Sequence, residues 1–380
     1  MSPDPLDRSI AVIGTGAVGA MALWQLAARG VSDVHGFDAY APGHDRGGYG
    51  GQTRIFRVAY KEGSEYVPLL QRAKEHWEQL EAESGTDLLT LAGGLSIGPE
   101  GDPDLARVLD CIRKFDLPHE QLSREESAAR FPHLPLSEGE TAVLDHSAGV
   151  LRPEQAVIAA AEQAQKHGAT LHTYTSVHSI EPDDDGVTVH SSTGTHRFDH
   201  VILSPGPWSR ELLELSSLPL SVHQITTIWF LAKNPAAFAP EVSPIVIRSG
   251  KIAFSCFPAV DGETVKVSLH SLPRPHINSA ENVDRNPDNR YLTAVREAVD
   301  VHLPDLIPDP VRIGTYADCF TPDNHGVIGA LPSLPHVTVA TGFSAHGFKL
   351  APTFGEIAAD LAITGETQYP ILHLSPQRFL

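Results

Sequence analysis

Residues 9–38 read SIAVIGTGAVGAMALWQLAARGVSDVHGFD, and the order of residue types within them decides the fold. The run Ile10 to Ile13 is apolar and of strand length. It enters Gly14-x-Gly16-x-x-Gly19, after which Met21, Leu23, Trp24, Leu26 and Ala27 recur at helical spacing until Arg29-Gly30 signals a helix end. A second short strand, 34–37, ends on Asp38. Gly14 permits a tight turn, Gly16 lets the backbone approach a pyrophosphate, and Gly19 lets the helix sit close to the sheet. The helix N-terminus then offers unpaired N–H groups to phosphate oxygens. Asp38 follows Gly19 at the spacing, about 20 residues, of a carboxylate that accepts ribose hydroxyls. Together these residues predict a dinucleotide-binding unit, and taken alone they suit NAD and FAD equally.

Composition bounds the rest. A chain of 380 residues is longer than one core usually organises, so a second domain is expected. With 41% apolar and 20% charged residues there is ample material for packed cores. Forty-seven acidic against 28 basic residues leave a formal charge of −19. That charge repels phosphate backbones and anionic membrane surfaces, which argues against a nucleic-acid or membrane partner. No apolar run reaches the roughly 20 residues of a spanning helix. The start, MSPDPLDRSI, has no basic region followed by an apolar stretch, so a soluble cytoplasmic protein is expected. Cys111, Cys256 and Cys319 are widely spaced with no CxxC, which predicts separate reduced thiols and no metal site.

Further along, 65–84 reads as an amphipathic helix with Leu69, Leu70, Ala73, Trp77 and Leu80 on one face. LLTLAGGLSIG (88–98) reads as two short strands or a hairpin, SREESAARFP as an N-capped helix ending near Pro132, and 152–167 as another helix. From Thr170 a strand, an acidic turn and further strands follow. The last of them, 200–204, runs into Gly206 and Trp208 as the chain returns to the cofactor domain. Residues 215–321 are rich in β-branched and aromatic residues and fit an antiparallel sheet, and 336–363 gives one more strand, a glycine turn and a helix from about 352. The expected fold is an α/β Rossmann-like domain, discontinuous in sequence, with a second α+β substrate domain on a mostly antiparallel sheet. Residues 1–84, 147–214 and 322–380 are assigned to the first, 85–146 and 215–321 to the second.

Three stretches carry candidate chemistry. GHDRGGYGGQTRIFRVAYKEGSEYVP (43–68) is too dense in glycine for a regular element, and its Arg54 and Arg57 stand three apart on one side of a turn. Two guanidinium groups there suit an anionic substrate or an anionic flavin. In ETVKVSLH the alternation places Lys266, Ser268 and His270 on one strand face and Val265, Val267 and Leu269 on the other. In GFSAHGFKL, Lys349 follows two glycines and precedes the last helix.

The combination of GTGAVG, GGQTRIFRVAYKEGSEYVPL (50–69), VKVSLH (265–270), TPDNHGVIG (321–329) and GFSAHGFK (342–349), in this order over nearly the whole chain, resembles the monomeric sarcosine oxidase and N-methyltryptophan oxidase family. These are FAD-dependent amine oxidases of the D-amino-acid oxidase superfamily, and their relatives include enzymes acting on fructosyl amino acids and pipecolate. A bacterial fructosyl-amino-acid oxidase lies within what the resemblance allows.

The resemblance implies FAD bound at Gly14, Gly16, Gly19, Asp38 and the C-terminal loop of Gly347, Phe348 and Lys349. It further implies Arg54 against the flavin ring, Arg57 and Lys349 as the clamp on a substrate carboxylate, Lys266 as the group that speeds reaction with oxygen, and His270 as a pocket histidine. The partners it implies are a small amino-acid-derived substrate with a carboxylate, and molecular oxygen reduced to hydrogen peroxide. A monomer or small homo-oligomer is expected.

Two positions depart from the family. Gly50 stands where a histidine commonly precedes the GxTR segment, and AFSCFP (253–258) lacks the pocket tyrosine. Both changes remove polar side chains beside the substrate amine and are expected to make room for a larger substituent. In covalent members the flavin-linked cysteine lies five residues before the Thr of the T-x-D turn. Here that position is Tyr316, and Cys319 is only two residues upstream of Thr321. FAD is therefore expected to bind without a covalent bond, with Cys319 a packed thiol. A flavin dehydrogenase using another acceptor, an NAD-linked enzyme and a non-catalytic flavin module are the competing readings. Lys266 weighs against the first, GFSAHGFK and the discontinuous return against the second, and the set Arg57, Lys266 and Lys349 against the third.

Overall fold

The computed structural model describes residues 4–212, 218–286 and 288–380. The N-terminal stretch forms β1 (Ser9–Ile13), α1 (Ala17–Ala28) and β2 (Asp33–Phe37), with β1 parallel to β2 in the register Ile10 opposite Val34. Gly14 turns the chain at φ +83°, and a Cβ there would lie 2.4 Å from the Ser204 carbonyl oxygen. A Cβ on Gly19 would lie 1.9 Å from the Gly14 carbonyl oxygen, so no side chain fits where α1 leaves the turn.

β1 and β2 belong to a six-stranded sheet in the order Val327–Leu331, Leu334–Thr341, His200–Leu203, β1, β2, Thr170–His172. It is parallel except for the first pair. Sequential parallel strands need covered faces, and both are covered. On one side α1, Val67–Ser84, Pro153–Lys166 and Ala351–Thr364 share an apolar core that includes Trp24, Trp77 and Phe354. On the other lies an antiparallel meander, Val177–Asp183, Gly186–Ser191 and Gly194–Phe198, packed through Val187, Val189 and Phe198.

The second sheet centres on two long antiparallel strands, Ser221–Ala232 and Leu306–Phe320. From Ser221–Ala232 it continues through Thr264–Leu269, Phe254–Phe257, Ile245–Arg248, Gly94–Pro99 and Glu140–Asp145 to His119–Leu122. The pairing of Ile245–Arg248 with Gly94–Pro99 is parallel and the other pairings are antiparallel. Helix Asn289–His302 lays Val295, Ala298 and Val299 on this sheet. The segment read as two strands or a hairpin is two strands in different sheets, because Leu89–Thr90 pairs with Gly149–Leu151 in a small three-stranded sheet beside Arg54–Phe56. Helix Arg124–Arg130 starts with a capping box between Ser123 and Glu126. No helix among the described residues is long and apolar enough to cross a membrane.

Candidate active site

One cavity of about 1730 Å³ runs from the glycine turn after β1 to the inner face of the second sheet. Typical ligand pockets occupy roughly 300–1,000 Å³, so this one has room for a dinucleotide and a substrate together.

Its dinucleotide end is built by the first domain. No side chain caps the N-terminus of α1, whose first residues Ala17 and Val18 line the cavity beside Gly14 and Gly16. Asp38 is buried, and its carboxylate accepts the N–H groups of Thr15 at 2.9 Å and Tyr40 at 2.9 Å. Burial pushes its pKa up, against the pull of those N–H groups and of His44. Oδ2 also accepts the Thr15 hydroxyl at 3.3 Å, so Oδ1 is the oxygen that keeps lone-pair capacity toward the cavity that Asp38 lines, which fits a ribose hydroxyl.

The loop after β2 folds around Arg54. Its guanidinium donates to the carbonyls of Thr53 (2.7 Å), Gly48 (2.8 Å) and Gly50 (2.7 Å), fixing the glycine-rich turn from below. Lys266 arrives from the second sheet, where Val265 and Val267 point into the core and Lys266 and Ser268 point to the cavity. Its Nζ donates to Gly51 O at 3.0 Å and Thr53 O at 2.5 Å and lies 4.1 Å from the centre of the Phe257 ring. Burial, then repulsion from Arg54, pushes its pKa well below the ordinary lysine value. His270 also lies open to the cavity, its Nε2 2.8 Å from Ser255 Oγ, and desolvation by the surrounding walls lowers its pKa.

Arg57 and Lys349 meet around a residue that sequence reasoning missed. Arg57 Nη2 donates to both carboxylate oxygens of Glu62 at 2.8 Å. Burial alone would raise the Glu62 pKa, but Arg57 first and Lys349 second hold it below the usual carboxylate range. Arg57 Nε is buried and has no hydrogen-bond partner in the protein. Lys349 Nζ donates to the His346 carbonyl at 3.0 Å and to Tyr60 Oη at 3.3 Å. Burial, followed by repulsion from Arg57, brings its pKa down to about 7. Gly347, Phe348 and Lys349 of the C-terminal loop all line the cavity. Ser344 and Ala345 before them sit at φ +53° and +64°, a costly conformation for residues with a Cβ, and Ala345 N–H is held by Asp318 at 2.9 Å.

The structure therefore gathers every candidate named from sequence except Gly19 onto one cavity wall; Gly19 supports the turn from behind. Tyr60, Glu62, His346, Tyr316 and Asp318 are the additions. The only signal available for Glu62 was an acid five residues after Arg57 in an irregular loop. Cys319 faces away from the cavity, between strands and beside Thr341 and Ser209, and burial pushes its thiol up to about 12. None of the three cysteines lines the cavity, so none is placed to carry a covalently bound flavin. The room expected from Gly50 is also taken: a Cβ there would meet the Tyr316 ring at 2.6 Å.

Comparison with known proteins agrees with this geometry. Residues 9–361 match the family described as DAO, FAD dependent oxidoreductase. Monomeric sarcosine oxidase of Streptomyces avermitilis is 36% identical over 373 residues, 97% of each chain. N-methyl-L-tryptophan oxidase of Citrobacter koseri is 30% identical over 96% of each chain. Among solved structures, NikD, an amino acid oxidase of nikkomycin biosynthesis, superposes with a TM-score of 0.85 at 25% identity over 97% of each chain.

Proposed function

The chain belongs to the DAO family of FAD-dependent oxidoreductases, and from that premise we propose that its substrate is an α-amino acid carrying a substituent on nitrogen. It is an enzyme that oxidises a CH–NH bond, with FAD held without a covalent bond. Gly14, Gly16 and the α1 N-terminus would hold the pyrophosphate, and Asp38 a ribose. Bound there, FAD would supply an acceptor for the hydride equivalent of the carbon beside nitrogen and a route for the electrons to oxygen.

The observation that carries the substrate reading is the carboxylate the cavity already stabilises. Glu62 is held in its ionised form in a half-buried position because Arg57 and Lys349 flank it. The same two side chains line the cavity, where the guanidinium of Arg57 and the Nζ of Lys349 are available to a substrate carboxylate. Charge-assisted bonds of this kind offset the cost of desolvating an anion. With the carboxylate fixed, the amine and its neighbouring carbon are confined near the Lys266 and His270 wall. Loss of hydride from that carbon gives an imine, which water hydrolyses.

The finer reading is an N-substituent bearing hydroxyls, as in a fructosyl amino acid, in preference to N-methyl. Ser255, in the segment that lacks the expected pocket tyrosine, bonds His270, while Ser268 bonds Thr227 at 2.7 Å on the same wall. Such a wall offers polar partners that a methyl group leaves unused. A peroxide-coupled screen of sarcosine, other N-methyl amino acids, pipecolate, proline, fructosyl-glycine and fructosyl-valine tests both levels. The expected order places a fructosyl amino acid highest in kcat/KM. Peroxide from N-methyl amino acids alone removes the finer reading, and no turnover of any N-substituted amino acid, with oxygen or an artificial acceptor, removes the broader one.

A further inference from the structure

An amino acid reaches the site as a zwitterion, yet its nitrogen must hold a lone pair before an imine can form, so some group must take the ammonium proton. The candidates around the carboxylate site differ in what their hydrogen bonds leave free. Glu62 is held ionised by Arg57, which makes it a weak base. His270 is engaged at Nε2 with Ser255, and desolvation by the cavity walls around it lowers its pKa. Lys266 gives two protons to acceptors, the Gly51 and Thr53 carbonyls, and the charges acting on it are those of Arg54, Glu154 and Arg312, not the Arg57 and Glu62 pair of the carboxylate site.

Lys349 is different because its partners are ordered from the far end of a chain. The Asn324 carbonyl can only accept, so the proton of His346 sits on Nε2, 2.7 Å away. His346 Nδ1 is then an acceptor and takes the Tyr60 hydroxyl proton across 2.8 Å. With its proton committed there, Tyr60 Oη accepts from Lys349 Nζ at 3.3 Å, and the His346 carbonyl accepts a second Nζ proton at 3.0 Å. A neutral amine has only these two protons to give. Its remaining tetrahedral position, the lone pair, is left for the cavity that Lys349 lines.

We propose that Lys349 is the proton acceptor that converts the bound zwitterion to the reactive amine, with Tyr60 and His346 as positioning residues that aim its lone pair. This step rests on the amine-oxidase reading above. The ammonium N–H bond breaks, its electron pair stays on nitrogen, and the proton bonds to Nζ. A zwitterion and a neutral lysine become a carboxylate with a free amine and a lysine cation, so no net charge enters the cavity. The cation is formed where the substrate carboxylate lies, which ties deprotonation to correct seating. The groups facing Lys349 are Arg54 and Arg57, which disfavour its charge, Glu62, which favours it, and the Tyr60 hydroxyl and His346 ring, both neutral near pH 7. A Lys349 pKa of about 7 suits exchange of a proton near neutral pH.

The test is proton counting by calorimetry on the FAD-loaded enzyme at pH 8, in two buffers of different ionisation enthalpy. Acetate brings no proton, so its binding is expected to draw about half a proton or more from the buffer, while 2-methylalanine, an α-amino acid with no α-hydrogen, is expected to draw close to none. In Lys349→Arg, which cannot accept a proton, the uptake with acetate should vanish. Equal uptake with both ligands, or uptake that persists in Lys349→Arg, overturns the proposal while leaving the carboxylate site standing. Failure of the wild-type enzyme to bind either ligand overturns the amine-oxidase reading together with it. Tyr60→Phe and His346→Gln should raise the midpoint of the pH dependence of anaerobic flavin bleaching by about one unit, with acetate affinity at pH 6 changed by less than about threefold. An unmoved midpoint in both variants refutes the positioning role.

Discussion

At the scale of single residues, Gly50 and Tyr316 form a matched pair. The Tyr316 ring lies 2.6 Å from where a Cβ of residue 50 would sit and 3.3 Å from one on Gly51, so the loop passes directly over the aromatic face. Gly50→His should therefore overpack the site at a cost of roughly 1–3 kcal/mol, with Tyr316→Ala recovering much of that loss. Urea midpoints at saturating FAD for the two single variants and the double variant measure the coupling. Strictly additive effects would mean that the ring and the loop do not share that space. Gly50 was visible in the sequence as a departure. What fills its place was not, because Tyr316 lies far along the chain on a strand whose register is fixed only by its pairing with Ser221–Ala232. Glu62 was hidden for a related reason: an acid in a loop carries no periodicity, and only folding shows that it faces Arg57.

At the scale of elements, helix Ala351–Thr364 is tied to its neighbours through a buried carboxylate. Glu356 accepts from His76 Nε2 at 2.9 Å, Arg72 Nη2 at 2.9 Å and the Tyr369 hydroxyl at 2.7 Å, and Arg29 of the segment after α1 lies 3.7 Å away. Burial raises its pKa, but the bonds from His76, Arg72 and Tyr369 outweigh that and hold it well below the usual carboxylate range. A depressed folded pKa gives stability that is present above the unfolded value near 4.3 and is lost as pH falls toward the folded value. Glu356→Gln is expected to cost about 2–3 kcal/mol at pH 7, less than for a fully desolvated pair because Arg72 is partly open to solvent. Its stability should also fall less steeply than the wild type's below about pH 4.5. Urea unfolding against pH with FAD in fixed excess reads both, and parallel acid limbs would show that Glu356 is not the titrating group. The helices themselves were legible, since each apolar stripe lies within one turn-to-turn window. The parallel pairing of Ile245–Arg248 with Gly94–Pro99 was not, because nothing local specifies a partner so distant in sequence.

At the scale of the whole molecule, the two sheets meet at the cavity, and Lys266 is the cation that the second sheet sends to the glycine loop of the first, alongside Tyr316 and Asp318. An acidic protein that buries Arg57, Lys266 and Lys349, with Arg54 half-buried beside them, around one cavity has concentrated basic groups where an anionic substrate and electron-rich reduced states would need them. Two consequences of Lys266→Met can be separated. As a structural tie, the variant removes one of two donors from each of the Gly51 and Thr53 carbonyls, which keep the Thr53 N–H and the Arg54 guanidinium, and the loosened loop should weaken FAD retention and slow every step alike. As a charge beside the redox centre, Lys266 should matter most when oxygen takes electrons, since that is where negative charge develops. Oxygen consumption at saturating amino acid is then expected to fall by more than about tenfold, while anaerobic flavin bleaching changes by less than about threefold. Rapid mixing of the two half-reactions, in enzyme verified to carry full FAD, distinguishes them. Equal losses in both halves would reduce Lys266 to the structural tie and leave the oxygen-reactive group to be sought elsewhere on the cavity wall.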